Sequence, residues 1–186
     1  MEPSSDRLQT FSDDTLATRA LQDPEAFTAL YRRYARRLYN YLYSKTGCTE
    51  DAEDLTAQVF SEVIKSLSRY QPQGTFAAWI FTIARRKAAN GLRHRRGWLP
   101  LEMAERTAYA FPDPLKQVIE EEELAEVRRC IQLLKAEDIE LLRLHFAAGL
   151  TYREMATLLG KTESAVGVNM HRLLRRLEED CEAKDG

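Results

Sequence analysis

Apolar side chains recur at intervals of three and four residues through most of residues 23–96, the spacing of one face of an α-helix. The first run follows Asp23-Pro24, a capping residue and a proline suited to the first helical position. A break at Thr46-Gly47-Cys48 precedes a second run, in which Thr49 is the expected cap and carboxylates fill the first turn. A third run covers residues 75–95. Each run predicts one helix, and the apolar positions are Phe27, Leu30, Tyr31, Tyr34, Leu38, Tyr41, Leu42; Leu55, Val59, Phe60, Val63, Ile64, Leu67; and Phe76, Trp79, Ile80, Ile83, Ala84.

The same helical spacing returns in the second half of the chain after an interruption. Residues 97–114 contain three prolines and no sustained period, which predicts a linker. Helical patterns follow at residues 115–134 and 137–148. The stretch GLTYREMATLLGKTESAVGVNMHRLLRRL then predicts two helices joined by a short turn at Gly160, with Thr151 and Thr162 as their caps.

The predicted fold class is all-α, with two small helical domains joined by a flexible linker. No segment predicts a strand, and no internal repeat is apparent. The predicted division is a mobile N-terminal segment at 1–22, a first domain at 23–96, a linker at 97–114, a second domain at 115–180 and a tail at 181–186.

Charge is segregated along the chain although the formal net charge is only -2. Residues 63–101 contain no Asp or Glu but eight Lys or Arg residues, whereas acidic residues collect at 50–54, at 120–123 and after residue 178. Segregation of this kind favours a polyanion on one face and a different partner on another.

Other features of the composition exclude several classes of protein. Cys48, Cys130 and Cys181 are far apart, form no CxxC and share no ligand spacing with the three histidines, so reduced thiols and no metal are expected. No apolar run approaches the ~20 residues that a membrane span needs, and no signal peptide is apparent, so a cytoplasmic protein is expected. No cofactor motif is present, and no cofactor is predicted.

The last two predicted helices have the pattern of a helix-turn-helix, whose second helix lies in the DNA major groove. Its buried face is predicted at Val166, Met170, Leu173, Leu174 and Leu177. The remaining face is basic. Thr162 and Ser164 suit phosphate oxygens, and Arg172 suits a guanine edge or a phosphate. An ordinary helical hairpin with a solvated basic face is the alternative.

Two stretches resemble the RNA polymerase sigma factors of the extracytoplasmic-function (ECF) group, which contain sigma regions 2 and 4 only. The first is DPEAFTALYRRYARRLYNYL followed by TEDAEDLTAQVFSEVIKSLSRYQPQGTFAAWIFTIARRKAANGLRHRR. The second is LKAEDIELLRLHFAAGLTYREMATLLGKTESAVGVNMHRLLRRL. They cover roughly residues 23–177. The resemblance implies a region 2 helical bundle in the first domain and a region 4 helix-turn-helix in the second.

In region 2, the resemblance implies two binding surfaces. The helix that starts at EDAEDL would bind the clamp helices of the polymerase β′ subunit; a solvated acidic helix start is the alternative. The SRYQPQGTF loop would capture a flipped −10 base of the non-template strand; the alternative for Tyr70 is a tyrosine at the edge of the core. Arg86 departs from the family pattern, which has Asn there. The family's −10 sequence preference is therefore less transferable to this chain than its mechanism of strand capture. The implied residues are Asp51, Asp54, Gln58 and Glu62 for polymerase, and Tyr70, Arg85, Arg86, Lys87, Asn90, Arg93 and Arg95 for −10 DNA.

In region 4, the resemblance implies recognition of the −35 element by both helices of the helix-turn-helix. Gly167 departs from the pattern of many members, which place Lys or Arg there. The implied partners are core RNA polymerase, through its β′ clamp helices and β subunit, promoter DNA, and an anti-sigma factor. The −35 candidates are Arg153, Thr162, Ser164, Val168, His171, Arg172, Arg175 and Arg176.

The predicted function is therefore that of a sigma factor without catalytic residues. A conventional helix-turn-helix regulator with an N-terminal sensing domain is the main alternative, although a second basic surface in residues 63–101 has little use in a sensing domain. A small helical enzyme is the other alternative. No nucleophile–base pair, metal-ligand set or phosphate-binding glycine loop supports it.

Overall fold

Seven α-helices make up most of the described residues of this computed structural model, which are Leu8, residues 10–96, Ile131 and residues 133–182. Side chains are described through residue 91 in the first part and through residue 179 in the second. No strand occurs in these ranges, so the predicted all-α class is confirmed. The helices are α1 (Asp13–Arg19), α2 (Pro24–Thr46), α3 (Thr49–Ser66), α4 (Phe76–Arg96), α5 (Ala136–Leu142), α6 (Tyr152–Leu159) and α7 (Glu163–Glu182).

The chain divides into two compact units, Met1–Ala110 and Phe111–Gly186. The predicted linker at 97–114 and nearly all of the predicted helix at 115–134 lie outside the described residues. The predicted domain limits therefore stay predictions. At the C-terminus, α7 continues two residues into the predicted tail at 181–186.

The first unit packs α2, α3 and α4 around a core rich in aromatic rings. Tyr34, Tyr41 and Phe81 are each 0% exposed. Tyr41 meets Phe81 edge to face, with ring centroids 5.5 Å apart. Tyr31 and Ile64 were expected inside but are 47% and 60% exposed, because they lie at the outer edges of their helical stripes. On α2 and α3, the surface that is buried against neighbouring helices is narrower than the apolar face of the helix.

The ends of α2 agree with the sequence pattern, whereas the start of α3 differs from it. Asp23 accepts a hydrogen bond from the Glu25 amide, Pro24 is the first residue of α2, and Gly47 ends it at φ 65°. The residue preceding α3 is Cys48, not Thr49, and it makes no side-chain capping bond. Its thiol instead donates to a carboxylate oxygen of Glu50 over 3.0 Å.

A packed helix, α1, occupies part of the segment at 1–22 that was predicted to be mobile. Ser12 caps it by accepting a hydrogen bond from the Thr15 amide. Leu16 and Ala17 are 0% and 1% exposed, so the helix is held to the rest of the unit by apolar burial. The signal for α1 is Ser12-Asp13-Asp14 before a short apolar pair, which is a capping residue followed by first-turn carboxylates.

Polar contacts also hold α1 against α2. Asp13 forms an ion pair with Arg33, with Oδ1 and Nη1 separated by 2.6 Å. The hydroxyl of buried Tyr34 donates to the other carboxylate oxygen of Asp13. Because both partners lie on α2, these contacts set the orientation of the first turn of α1.

The second unit packs α5, α6 and α7 around Leu144, Met155, Val166 and Met170, each 0% exposed. The predicted helix at 137–148 is α only to Leu142 and widens into a π turn at Arg143–Ala147. There the Ala148 amide donates to the Arg143 carbonyl over 2.9 Å. The extra residue per turn brings the chain to Gly149 (φ 63°), where it reverses toward α6.

The turn between α6 and α7 has the predicted capping chemistry. Thr151 and Glu154 form a reciprocal capping box at the start of α6. Gly160 ends α6 at φ 64°, the left-handed conformation that glycine adopts without steric cost. Thr162 accepts from the Ala165 amide over 3.2 Å and so caps α7. The predicted helix-turn-helix geometry is therefore present.

We expect Gly167→Ala to raise the free energy of unfolding by about 0.5–1 kcal/mol, because alanine loses less backbone entropy in a helix. A Cβ built at Gly167 would lie 3.6 Å from the Tyr152 ring, an ordinary van der Waals contact. Urea denaturation followed by circular dichroism measures the change. Gly160→Ala is the matched control and should destabilise, because its φ of 64° strains any residue with a Cβ. A lower midpoint for Gly167→Ala would contradict the prediction.

Candidate nucleic-acid interface

An aromatic cluster stands beside an exposed loop between α3 and α4. We call residues 70–75 the Tyr70 loop. The half-buried Tyr70 ring lies 4.9 Å from the Trp79 ring and 5.3 Å from the Phe76 ring, measured between centroids. Residues 71–74 of this loop are exposed. An aromatic cluster beside a solvent-exposed loop is suited to stacking an unpaired base.

The Tyr70 loop is bound by Asp14 of α1, which lies outside the site residues predicted from the sequence. The Tyr70 hydroxyl donates to Oδ1 of Asp14 over 2.6 Å. The Gly74 amide donates to Oδ2 of the same carboxylate. Burial of the phenol, and next its hydrogen bond to Asp14, raise the pKa of Tyr70 above its usual value of 10.0. The hydroxyl is therefore a donor throughout the physiological pH range.

The basic residues of α4 have different degrees of exposure. Arg86 and Asn90 are exposed and are separated by one helical turn, whereas Arg85 and Lys87 are half-buried on either side of them. The Lys87 ammonium lies 3.4 Å from a carboxylate oxygen of Glu62. The side chains of two further candidates, Arg93 and Arg95, lie outside the described residues.

The predicted polymerase residues form one stripe along α3, at helical spacings of three and four. Asp54 and Gln58 are exposed, and the Gln58 amide donates to Asp54 over 2.8 Å. Asp51 is half-buried, as is Glu62, whose carboxylate meets Lys87 of α4. The acidic stripe and the basic face of α4 therefore share an edge, where one residue from each forms an ion pair.

The outward face of α7 is built from residues that are exposed at helical intervals. Ser164, His171 and Arg172 are exposed, and Val168 is 48% exposed. Arg153 of α6 is also exposed. Within the part of the chain that the structure describes, neither Arg153 nor Arg172 has an ion-pair partner, so both guanidinium groups face solvent and suit phosphates or base edges.

The other predicted −35 residues already have partners within the second unit. Arg175 bonds Glu179 one turn later on α7, over 2.8 Å. Arg176 bonds Asp138 of α5 over 2.6 Å and so connects two helices of the core. Thr162 uses its hydroxyl oxygen to cap α7. Arg172 is thus the α7 arginine most available to a ligand.

Two family descriptions match this chain. Residues 30–97 match Sigma-70 region 2, and residues 124–177 match Sigma-70, region 4. The two matches together span most of the chain.

The chain belongs to the sigma-70 family.

Two RNA polymerase sigma factors illustrate the similarity. The ECF RNA polymerase sigma factor BldN of Streptomyces coelicolor is 30% identical over 158 residues, which are 83% of this chain and 60% of BldN. The RNA polymerase sigma factor CarQ of Myxococcus xanthus is 30% identical over 158 residues, which are 83% of this chain and 88% of CarQ.

Two solved structures have the same fold. CnrH, determined in complex with the cytosolic domain of CnrY, aligns with a TM-score of 0.64 at 24% identity, covering 92% of this chain and 97% of CnrH. RpoE of Bartonella quintana, determined with the anti-sigma factor NepR, aligns with a TM-score of 0.58 at 19% identity, covering 84% of this chain and 96% of RpoE. Among the described helices of this sigma-70 family member, none is long and apolar enough to cross a membrane.

The region 2 match contains α3, α4 and the Tyr70 loop, and the region 4 match contains α6 and most of α7. Both candidate DNA surfaces therefore lie within matched segments. Asp14 does not, because the region 2 match begins at Leu30. The Tyr70 loop is therefore bonded by a residue that lies outside the matched segment.

Proposed function

We propose that this chain is a dissociable, alternative sigma factor that directs core RNA polymerase to a set of promoters. Region 4 would bind the −35 duplex through α7, and region 2 would hold the melted −10 strand on the Tyr70 loop and the exposed face of α4. The observation that carries the proposal is the presence of two distinct candidate nucleic-acid surfaces in one chain. One is an arginine-bearing helix-turn-helix face, and the other is an aromatic loop beside a basic helix.

The two surfaces suit different forms of DNA. Arg172 and Val168 project from a helix of the width that enters a major groove, where base pairs present distinct hydrogen-bonding patterns. The Tyr70 loop offers ring faces, which interact with bases only after these leave the duplex. Binding the separated strands more tightly than the duplex favours melting. The chain would act through differential binding, without covalent chemistry of its own.

Core polymerase would supply the connection between the two DNA contacts. The exposed Asp54–Gln58 pair on α3 presents acidic and amide groups to a basic helical partner, which we propose to be the clamp helices of β′. Each DNA contact alone would be weak, and tethering both to one machine raises their combined affinity through effective concentration. The formal net charge of -2 agrees with weak DNA binding by the free protein.

Control by an anti-sigma factor is part of the proposal. CnrH and RpoE, which share the fold, were each determined with a bound partner, and for RpoE that partner is an anti-sigma factor. Exposed apolar side chains such as Tyr31 and Ile64 in the first unit and Phe146 in the second offer surface that such a partner would cover. We propose that the protein acts in the cytoplasm, together with polymerase.

Reconstitution with purified core polymerase tests the proposal. The protein and core polymerase are incubated with a template pool in which the −35 and −10 elements are randomised, and transcripts are sequenced. We expect transcripts enriched for one pair of elements at a constant spacing. Core polymerase alone is the control.

Two results would contradict the sigma-factor proposal. One is the absence of any association with core polymerase after removal of bound inhibitors. The other is tight dimeric binding to a duplex palindrome without polymerase, which would favour a conventional helix-turn-helix regulator.

A further inference from the structure

The first turn of α1 bonds the Tyr70 loop at two places, Tyr70 and Gly74. We infer that Asp14 is a positioning residue, which holds this loop in the conformation that receives the unpaired −10 base. Its two carboxylate oxygens take separate donors, the Tyr70 hydroxyl 56 residues away and the Gly74 amide 60 residues away. The inference rests on the proposed function, because the captured ligand is the single strand named there.

Asp14 is itself firmly oriented. Its helix is anchored by Leu16 and Ala17, which are buried, and by the bonds of the preceding residue, Asp13, to Arg33 and Tyr34. A carboxylate on a packed helix presents its oxygens at a constant position. Hydrogen bonds to a charged acceptor are also roughly twice as strong as neutral ones. Asp14 is therefore a rigid support for the loop.

Thr75 also bonds the Tyr70 hydroxyl, through its side chain and its backbone, but the middle of the Tyr70 loop is open. Residues 71–74 are exposed, and a Cβ at Gly74 would meet nothing within 4 Å. Gly74 has a φ of 70°, and because glycine adopts many backbone conformations with little steric cost, its own backbone does little to fix the loop. An exposed loop loses conformational entropy when it binds a ligand. A loop already held in place loses less, and its affinity is correspondingly higher.

The bond to Tyr70 acts on the aromatic cluster as well as on the backbone. The partly buried Tyr70 ring contacts Phe76 and Trp79, and its hydroxyl needs a hydrogen-bond partner there. Asp14 supplies that partner and limits rotation of the ring. It contributes to strand capture without itself touching DNA, which distinguishes it from the residues of the basic face.

Variants of Asp14 test this inference with a charge-matched control in the same unit. Asp14→Ala removes both acceptors, and Asp14→Asn leaves one oxygen and places an NH2 group toward one of the two donors. Glu25→Gln is the control, because it removes the same charge from an exposed position of α2 and leaves the bonds that orient α1 in place. Any general effect of net charge on DNA affinity is shared by Asp14→Asn and Glu25→Gln.

The first measurement is hydrogen exchange of the Gly74 amide in the free, full-length protein, which requires no polymerase. We expect Asp14→Ala to accelerate exchange at least about tenfold, Asp14→Asn to have an intermediate effect, and Glu25→Gln to match the wild type. Unchanged exchange in Asp14→Ala would overturn the inference, because the carboxylate would then not hold the loop.

The second measurement is the affinity of the reconstituted holoenzyme for DNA that exposes a single-stranded −10 non-template segment. We expect Asp14→Ala to weaken binding about tenfold, with −35 duplex contact unchanged. Tyr70→Phe removes only the hydroxyl, and in that background Asp14→Ala should have a smaller effect because the two groups act together. Faster Gly74 exchange with unchanged strand affinity would overturn the positioning role.

The two measurements separate failure of this inference from failure of the proposed function. If wild-type protein with core polymerase binds no promoter DNA, the proposed function fails and the role in strand capture fails with it. The exchange experiment still decides whether Asp14 holds the loop. If wild-type holoenzyme opens promoters but Asp14→Ala does so equally well, only the inference about Asp14 is wrong.

Discussion

Tyr70→Ala should reduce open-complex formation about tenfold to a hundredfold while leaving binding to −35 duplex DNA unchanged. The expected loss corresponds to the stacking of one base on an aromatic ring, about 1–3 kcal/mol. The Tyr70 ring is only half-buried and lies between the exposed loop and the Trp79 and Phe76 rings. Removing the ring takes away the surface on which an extruded base would stack and leaves the unstacking cost without compensation.

Permanganate reactivity of thymines across the −10 region measures this effect directly, since only unpaired thymines react. Tyr39→Ala is the matched control, because Tyr39 is a half-buried tyrosine of the same unit that stacks on Tyr43, with centroids 5.9 Å apart. Tyr70→Ala with the same permanganate pattern and rate as the wild type would refute the role of Tyr70. Equal losses in both tyrosine variants would indicate general destabilisation of the unit.

Arg172→Ala should weaken binding to the −35 element about tenfold, within the 1–3 kcal/mol that a bidentate arginine–guanine contact contributes. Arg172 is exposed on α7 and lacks an ion-pair partner within the described residues, whereas Arg175 and Arg176 are bonded to Glu179 and Asp138. An arginine that gives up no internal bond on binding contributes its full interaction with DNA. Arg172 should therefore have the largest effect among the three.

Arg172→Lys separates base recognition from phosphate contact. Lysine keeps the positive charge but lacks the planar fork that makes two bonds to guanine. We expect Arg172→Lys to retain the salt dependence of −35 binding and to lose discrimination at one base pair. Holoenzyme affinities for a −35 duplex series, measured at several salt concentrations, give both quantities. If both variants keep the wild-type ranking of sequences, Arg172 contacts only phosphate.

Much of the helix-turn-helix could be predicted from local sequence because its signals lie within a few residues of each other. The capping box of Thr151 and Glu154, the left-handed Gly160 and the Thr162 cap each depend on neighbours in the chain. The same holds for the start of α2 at Asp23-Pro24. The alternation of buried Val166 and Met170 with exposed Val168 and Arg172 follows from helical periodicity alone.

Whether each site residue is already bonded to another residue of the protein could not be predicted in this way. Periodicity assigned Arg172 and Arg176 to the same outward face of α7, yet Arg176 is bonded to Asp138, 38 residues away. Lys87 was selected for DNA and Glu62 for polymerase, yet the two side chains meet. Charge and spacing give the residue types on a face, but whether a cation is available depends on which carboxylate the packed helices bring beside it.

By itself, the sequence determined an all-α chain with region 2 and region 4 patterns, the positions of most helix ends, and which face of each helix is apolar. These properties come from hydrogen bonding and periodicity over one or two helical turns, so local residues are sufficient. Only the tertiary structure decided that α1 packs on the first unit and that Asp14 bonds Tyr70 and Gly74. Such contacts join groups more than 50 residues apart in sequence, and their geometry exists only after the apolar faces of the helices have packed together.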